Sequence, residues 1–247
     1  RSALSSYVIL PHNLSFGTHR LVRRFMKGVF ERPSLPRYSA TWDIAVVLEY
    51  LRNMQPADKL SLKDLTLKVV TLLALLSGQR RQTLHALKVS CMQLSSDKCV
   101  FVLDKFLTTS KPGSHLSHLE FLSYTPDPSL CIVKYLSEYV RRTEPLRHGI
   151  DQLLVSHQKP YGPVHVDTVS RWIKTTLTNA GVDTDVFSAH STRSSSTSAA
   201  ASKQIPLDTI MKSAGWRSDK TFQKFYNLPV DSVLHVNYGS ELLNSLR

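Results

Sequence analysis

Apolar positions in this chain recur mostly at helical spacing. Ile44, Val47, Leu48 and Leu51 form one stripe, and Thr41-Trp42-Asp43 is expected to open that helix. Ser61-Leu62-Lys63-Asp64 has the form of a capping box, with Asp where Glu or Gln is usual. The helix it starts runs through Leu76 and stops at Gly78, a residue suited to the left-handed position past a helix end. A short helix over Gln82–Ala86 follows a tight turn. Pro128–Arg142 places Cys131, Ile132, Tyr135, Leu136 and Tyr139 on one inner face, and Val166–Ala180 is closed by Gly181. Ser191–Ser202, Leu207–Ser213, Asp219–Phe225 and Val230–Leu246 read as four further helical segments, punctuated by Pro206 and Gly215. Strand-like runs occur at Cys99–Leu103 and His118–Tyr124, around a polar connection containing Pro112 and Gly113, and at Gln152–Val155. The predicted class is mainly α with a small antiparallel β-sheet (α+β). Ser194–Ser202 has a low-complexity composition, yet small residues on a helix also permit close packing.

The first segment differs from the rest. Arg20, Arg23, Arg24, Lys27, Arg32 and Arg37 crowd it, and Pro33 and Pro36 break it, so residues 1–38 read as the end of one unit plus a linker, and 39–247 as a second unit. Lys plus Arg is 31 against 19 Asp plus Glu, a net charge of +12 that favours a polyanionic partner such as nucleic acid or anionic lipid, between which charge alone does not choose. The longest apolar stretch, Val69–Leu76, falls well short of the ~18–20 residues of a membrane span, so no membrane partner is expected. The start, Arg1-Ser2-Ala3, has no apolar run behind it, so no secretory leader is expected. Without an initiator Met, the chain is expected to be a piece of a longer one. Cys91, Cys99 and Cys131 are odd in number and lack C-x-x-C spacing, which argues for a reducing, intracellular setting.

Several chemistries lack their motifs. There is no phosphate-cradling glycine loop, no H-E-x-x-H and no carboxylate cluster suited to two metals. His115 and His118 stand without a third ligand, so no metal and no cofactor is assigned. What remains is cationic, plus one tyrosine. Arg80 follows Ser77-Gly78-Gln79. His190 and Arg193 are three apart, hence on one helix face. Trp216 follows Gly215, and Tyr226 ends Thr221-Phe222-Gln223-Lys224-Phe225-Tyr226.

Taken in this order, these residues resemble the tyrosine recombinase (phage integrase) family over about residues 40–247, its catalytic-domain fold. Ala189–Ser194, Trp216, Phe225-Tyr226, Phe25-Met26-Lys27-Gly28 and Pro36-Arg37-Tyr38 look most like recombinases of DIRS/Ngaro-type retrotransposons. The resemblance implies a site-specific recombinase or integrase acting on double-stranded DNA, in the nucleus, without metal or ATP. Arg80 and Arg193 would grip the phosphate, guanidinium being planar, bidentate and always charged. His190 would donate a hydrogen bond or transfer a proton, and Trp216 could donate through its indole N–H. Tyr226 would attack to give a 3′-phosphotyrosine. The family's general acid is a hairpin lysine, for which Lys111 is the first candidate and Lys105 the second. Residues 1–38 would be the end of a core-binding domain, and 230–246 a docking segment for a homo-tetramer on DNA. Arg81, Lys88, Arg171, Lys174, Lys203 and Lys212 are candidates for backbone contact. Three features depart from the family pattern. Thr83 stands where many relatives have Glu or Asp, and Thr108 where related retroelements have Lys. The Trp216-to-Tyr226 interval, 226 − 216 = 10, is one longer than is common, with the loop at Arg217–Lys220 expected to absorb it. An inactive DNA-binding descendant and a type IB topoisomerase are the alternatives.

Overall fold

The structure, a computed structural model, describes residues 2–11, 14–31, 37–103, 116–216 and 219–230. It divides into two units, Arg1–Arg37 and Tyr38–Arg247. In the first, α1 (Ser2–Tyr7) precedes a short antiparallel pair, β1 (Ile9–Leu10) and β2 (Leu14–Ser15). A 3-10 turn then leads into α2 (Arg20–Glu31), which carries Arg20, Arg23, Arg24 and Lys27.

The second unit is helical around one small sheet. Its elements are α3 (Ile44–Asn53), α4 (Leu62–Ser77), α5 (Arg81–His85), β3 (Met92–Leu94), β4 (Lys98–Val102), β5 (His118–Leu122), α6 (Ile132–Thr143), α7 (Val166–Asn179), α8 (Ser191–Ser202), α9 (Leu207–Ala214) and α10 (Asp219–Phe225). β3, β4 and β5 pair antiparallel in sequence order, with Cys99 opposite Phe121 and Phe101 opposite Leu119. Those four side chains form the buried face, as period-two alternation requires. β3 was not expected: three residues are too short to show a period. Gln152–Val155 is no strand of a ladder. Leu153 N–H donates to Leu87 O and Ser156 N–H to Gly162 O, so the segment makes single bridges instead.

Caps explain the helix boundaries. α3 starts at Ile44, later than expected, because Asp43 caps it by accepting from Ala45 N–H at 2.8 Å. Thr41 and Trp42 are thereby left free for other contacts. Ser61 accepts from Asp64 N–H at 3.0 Å, and its hydroxyl donates to the Asp64 carboxylate at 2.6 Å. That second bond replaces the usual reach of a longer Glu back to the cap backbone. α6 starts at Ile132 rather than Pro128, since Asp127 folds Pro128–Leu130 into a turn, accepting from Ser129 N–H through its carboxylate and from Leu130 N–H through its carbonyl.

α4 is the central helix. Twelve of its residues are buried, and it packs against α5, α6, α7 and α8. It also contains a lysine with no exposure, Lys68. Its ammonium nitrogen donates to Leu51 O and Met54 O, both at 2.7 Å, at the open carbonyl end of α3, and lies 3.6 Å from the centre of the Tyr135 ring. Burial pulls its pKa down to about 7. A second, smaller apolar cluster of Ile210, Ala214, Trp216 and Phe222 joins α9 to α10, and Tyr226 packs against it.

Candidate active site

The site forms where the turn after α4, the start of α8 and the segments following α9 and α10 meet. Gly78 ends α4 at φ +59°, and the chain turns through Gln79 to Arg80. The turn is crowded: a Cβ on Gly78 would lie 3.2 Å from Thr197 Cγ2 and 3.3 Å from Ala214 Cβ. Gly78 is therefore required twice, for its left-handed backbone and for the approach of α8 and α9. α9 closes with Gly215 at φ +67°. Trp216 N–H donates to Met211 O and Gly215 N–H to Lys212 O, the pair of bonds of a Schellman motif. This termination carries the Trp216 ring back over α8.

Arg193 sits between these turns at 1% exposure. Its Nη1 donates to Gly78 O and, at 2.7 Å, to Ala214 O, so it ties the two helix ends together. The guanidinium carbon lies 3.8 Å from the centre of the Trp216 ring and 5.5 Å from that of Tyr226. Nε and Nη2 of Arg193, and Nε1 of Trp216, are buried donors that meet no acceptor among the described residues. Such groups are rare in folded proteins, because an unmet donor forgoes its hydrogen bond to water. Burial, and after it the positive charge of Arg80, pull the Arg193 pKa down to about 9. The Tyr226 hydroxyl opposes the shift, although no hydrogen bond of ordinary geometry forms between them. Arg193 is thus still charged at neutral pH and lies near a second cation, half-buried Arg80.

Tyr226 follows α10. Its hydroxyl is 3.2 Å from His190 Nε2, at the residue preceding α8, and its ring centre is 4.6 Å from that of Trp216. Tyr226 N–H donates to Phe222 O, and its carbonyl accepts from Ser198 Oγ at 2.6 Å. Of the six residues singled out as a catalytic set, the structure brings five together: Arg80, His190, Arg193, Trp216 and Tyr226. Lys111 and Lys105 lie outside the described residues, as do 217–218 and the proposed docking segment beyond Val230.

The other basic candidates are distributed over the surface. Arg81 pairs with Asp167 at 2.7 Å and bonds Ser170 on α7. Arg171 bonds Thr168 on the same helix at 2.9 Å. Lys174, Lys203 and Lys212 are exposed, and half-buried Lys88 bridges to Gln152. Among the described residues, no group of three or more His, Cys, Asp or Glu could hold a metal ion, and no helix is long and apolar enough to cross a membrane.

Two supporting residues were not anticipated. Gln79, 5% exposed, donates through Nε2 to Ser213 O and accepts from Thr83 Oγ1 at 3.2 Å. A neutral amide and hydroxyl, Gln79 and Thr83, thus brace the Arg80 turn against α9. Ser198 is the other. Nothing in residue spacing marks either one. What made α8 conspicuous was its run of small residues, and these prove to be its two packing faces.

Comparison with known proteins gives a family and a fold. The profile of the Phage integrase family matches residues 47–230 of the 247. The fold also resembles solved recombinases. XerH site-specific recombinase, in a pre-cleavage complex with its difH substrate, gives a TM-score of 0.58 at 12% identity, over 98% of this chain and 61% of that one. XerA recombinase gives 0.58 at 17%, over 88% and 66%. A lambda integrase (75–356) dimer bound to a COC′ core site gives 0.51 at 18%, over 87% and 72%. No curated protein matches the sequence.

The helical second unit with its three-stranded sheet is a tyrosine recombinase catalytic-domain fold. The chain belongs to the phage integrase (tyrosine recombinase) family, and it spans about three fifths of the length of the XerH chain and 66% of the XerA chain.

Proposed function

We propose that this chain is the catalytic part of a site-specific DNA recombinase or integrase that cleaves and rejoins strands through Tyr226. The observation that carries this reading is the set of buried, unmet donors on Arg193 and Trp216 beside the Tyr226–His190 pair. Their number and charge suit the non-bridging oxygens of a phosphodiester on its way to a five-coordinate transition state. Arg80 adds charge to the same phosphate. His190 relays or orients the Tyr226 proton.

The Tyr226 oxygen attacks phosphorus, a 3′-phosphotyrosine forms, the P–O5′ bond breaks and a 5′-hydroxyl leaves with a proton. Lys111 is the first candidate to supply that proton and Lys105 the second. Attack by another 5′-hydroxyl reverses the step. One phosphodiester-type bond replaces another, so no ATP is consumed. On the resemblance to DIRS/Ngaro-type recombinases, the proposal takes a retrotransposon as the source and the nucleus as the working compartment. Residues 1–38 then form the end of a core-binding domain. Arg81, Lys88, Arg171, Lys174, Lys203 and Lys212 supply backbone contacts, and segment 230–246 docks a neighbour in a tetramer. The recombinases solved on DNA support the choice of substrate.

The test is a nicked suicide duplex carrying the element's own terminal repeats. Wild type should accumulate a covalent protein–DNA complex, and Tyr226→Phe should give none. Equal yields would sink the reading in favour of a DNA-binding descendant. Relaxation of supercoils by a lone monomer, without strand exchange, would point to a topoisomerase.

A further inference from the structure

α8 presents hydroxyls on opposite faces. Arg193, Ser196 and Thr197 face the Gly78 turn, while Ser191, Ser195 and Ser198 share the other face at helical spacing. Most of these hydroxyls satisfy themselves within the helix. Ser194 donates to Ser191 O, Ser195 to Ser191 O, Thr197 to Arg193 O and Ser202 to Ala199 O. Ser198 does not. At 3% exposure it donates to Tyr226 O at 2.6 Å and accepts from Leu228 N–H at 3.0 Å. One hydroxyl therefore bridges the two peptide groups that flank the turn after Tyr226. The chain beyond is held as well: Pro229 O accepts from Thr41 N–H at 2.8 Å, and Thr41 Oγ1 bonds Ser195 Oγ.

We infer that Ser198 is a positioning residue for the nucleophile. It fixes the Tyr226 backbone to the helix that carries Arg193 and begins just after His190, so that the phenol oxygen and the phosphate-gripping donors keep one geometry. The inference rests on Tyr226 being the nucleophile. α10 has only seven residues, and among the described residues the Tyr226 backbone is held by Phe222 through its N–H and by Ser198 through its carbonyl. Loss of the hydroxyl leaves a buried carbonyl and a buried N–H to find other partners, and the turn shifts. Displacement of a reacting group by about 1 Å costs on the order of a hundredfold in rate.

The experiment measures single-turnover covalent-complex formation and DNA affinity for wild type, Ser198→Ala, Ser198→Thr, Ser194→Ala and Tyr226→Phe. Ser198→Ala should react about 10- to 100-fold more slowly with affinity unchanged. Ser198→Thr, which keeps the hydroxyl, should recover most of the rate. Ser194→Ala removes a hydroxyl bonded only within α8 and should react like wild type. Should Ser198→Ala fail to fold, Ser198→Cys fills the same space with a weak donor and should show the slowed reaction. A wild-type rate in Ser198→Ala, or in Ser198→Cys where the alanine variant does not fold, overturns the inference, as does equal slowing by Ser194→Ala. Adduct formation by Tyr226→Phe would instead overturn the nucleophile assignment, so the two failures are distinct.

Discussion

Lys68 and Arg193 are both cations buried to 1% exposure or less. Each donates to two backbone carbonyls at a helix end and lies within 4 Å of an aromatic ring centre. They differ in what is left over. Lys68 has three N–H groups, two on carbonyls and the third near the Tyr135 ring, with Asp127 favouring its charge from a distance. Arg193 has five N–H groups, of which those on Nε and Nη2 meet no acceptor among the described residues, and its strongest charged neighbour is another cation, Arg80. Burial of a charge is thus no mark of a site in itself. On the proposed reading, a charge that keeps donors unmet among the described residues, beside a neighbour that repels it, suits an anion brought from outside.

The largest effect that can break this contrast is Arg193→Ala. It should reduce covalent-complex formation by about 10³-fold or more while leaving most DNA affinity. Lys68→Met should leave that rate within about twofold, since Lys68 touches nothing in the site. Comparable losses from both would erase the distinction. Trp216→Phe keeps a ring over Arg193 and removes one unmet donor, so a drop of about 10- to 100-fold in cleavage is expected, with the melting temperature little changed. Gly78→Ala forces a side chain into a left-handed turn against Thr197 and Ala214. It should lower unfolding free energy by about 1–3 kcal/mol in denaturant titration. The last effect concerns the pH dependence of stability and not the rate of cleavage. The folded pKa of Lys68, about 7, lies below its ordinary 10.5, so between those values the unfolded chain holds the extra proton. Stability should therefore rise with pH from about 7 to about 10.5, by on the order of a few kcal/mol, and show no Lys68 slope below about 7. Melting curves of Lys68→Met should lack that rise.

The sequence made one half of the comparison readable and hid the other. Arg193 stood out because His190 lies three residues before it on one helix face, and because Arg80, Trp216 and Tyr226 follow the family's order. Gly78 and Gly215 could be read as helix ends, since a left-handed residue after an apolar run has a local cause. Lys68 could not be read. It stands among the buried, mostly apolar positions of α4, and only tertiary packing brings the carbonyls of Leu51 and Met54 to its head. β3 was too short to show alternation. Gln79 and Ser198 act through partners 134 and 28 residues away, which no local pattern encodes.

The most direct test of the central claim is peptide mapping of the covalent complex trapped on a suicide duplex at neutral pH, for wild type and Arg193→Ala. The account predicts a nucleotide-bearing peptide modified at Tyr226 in wild type and almost none in Arg193→Ala. A modification on any other residue, or Tyr226 modified at the wild-type rate without Arg193, would contradict it.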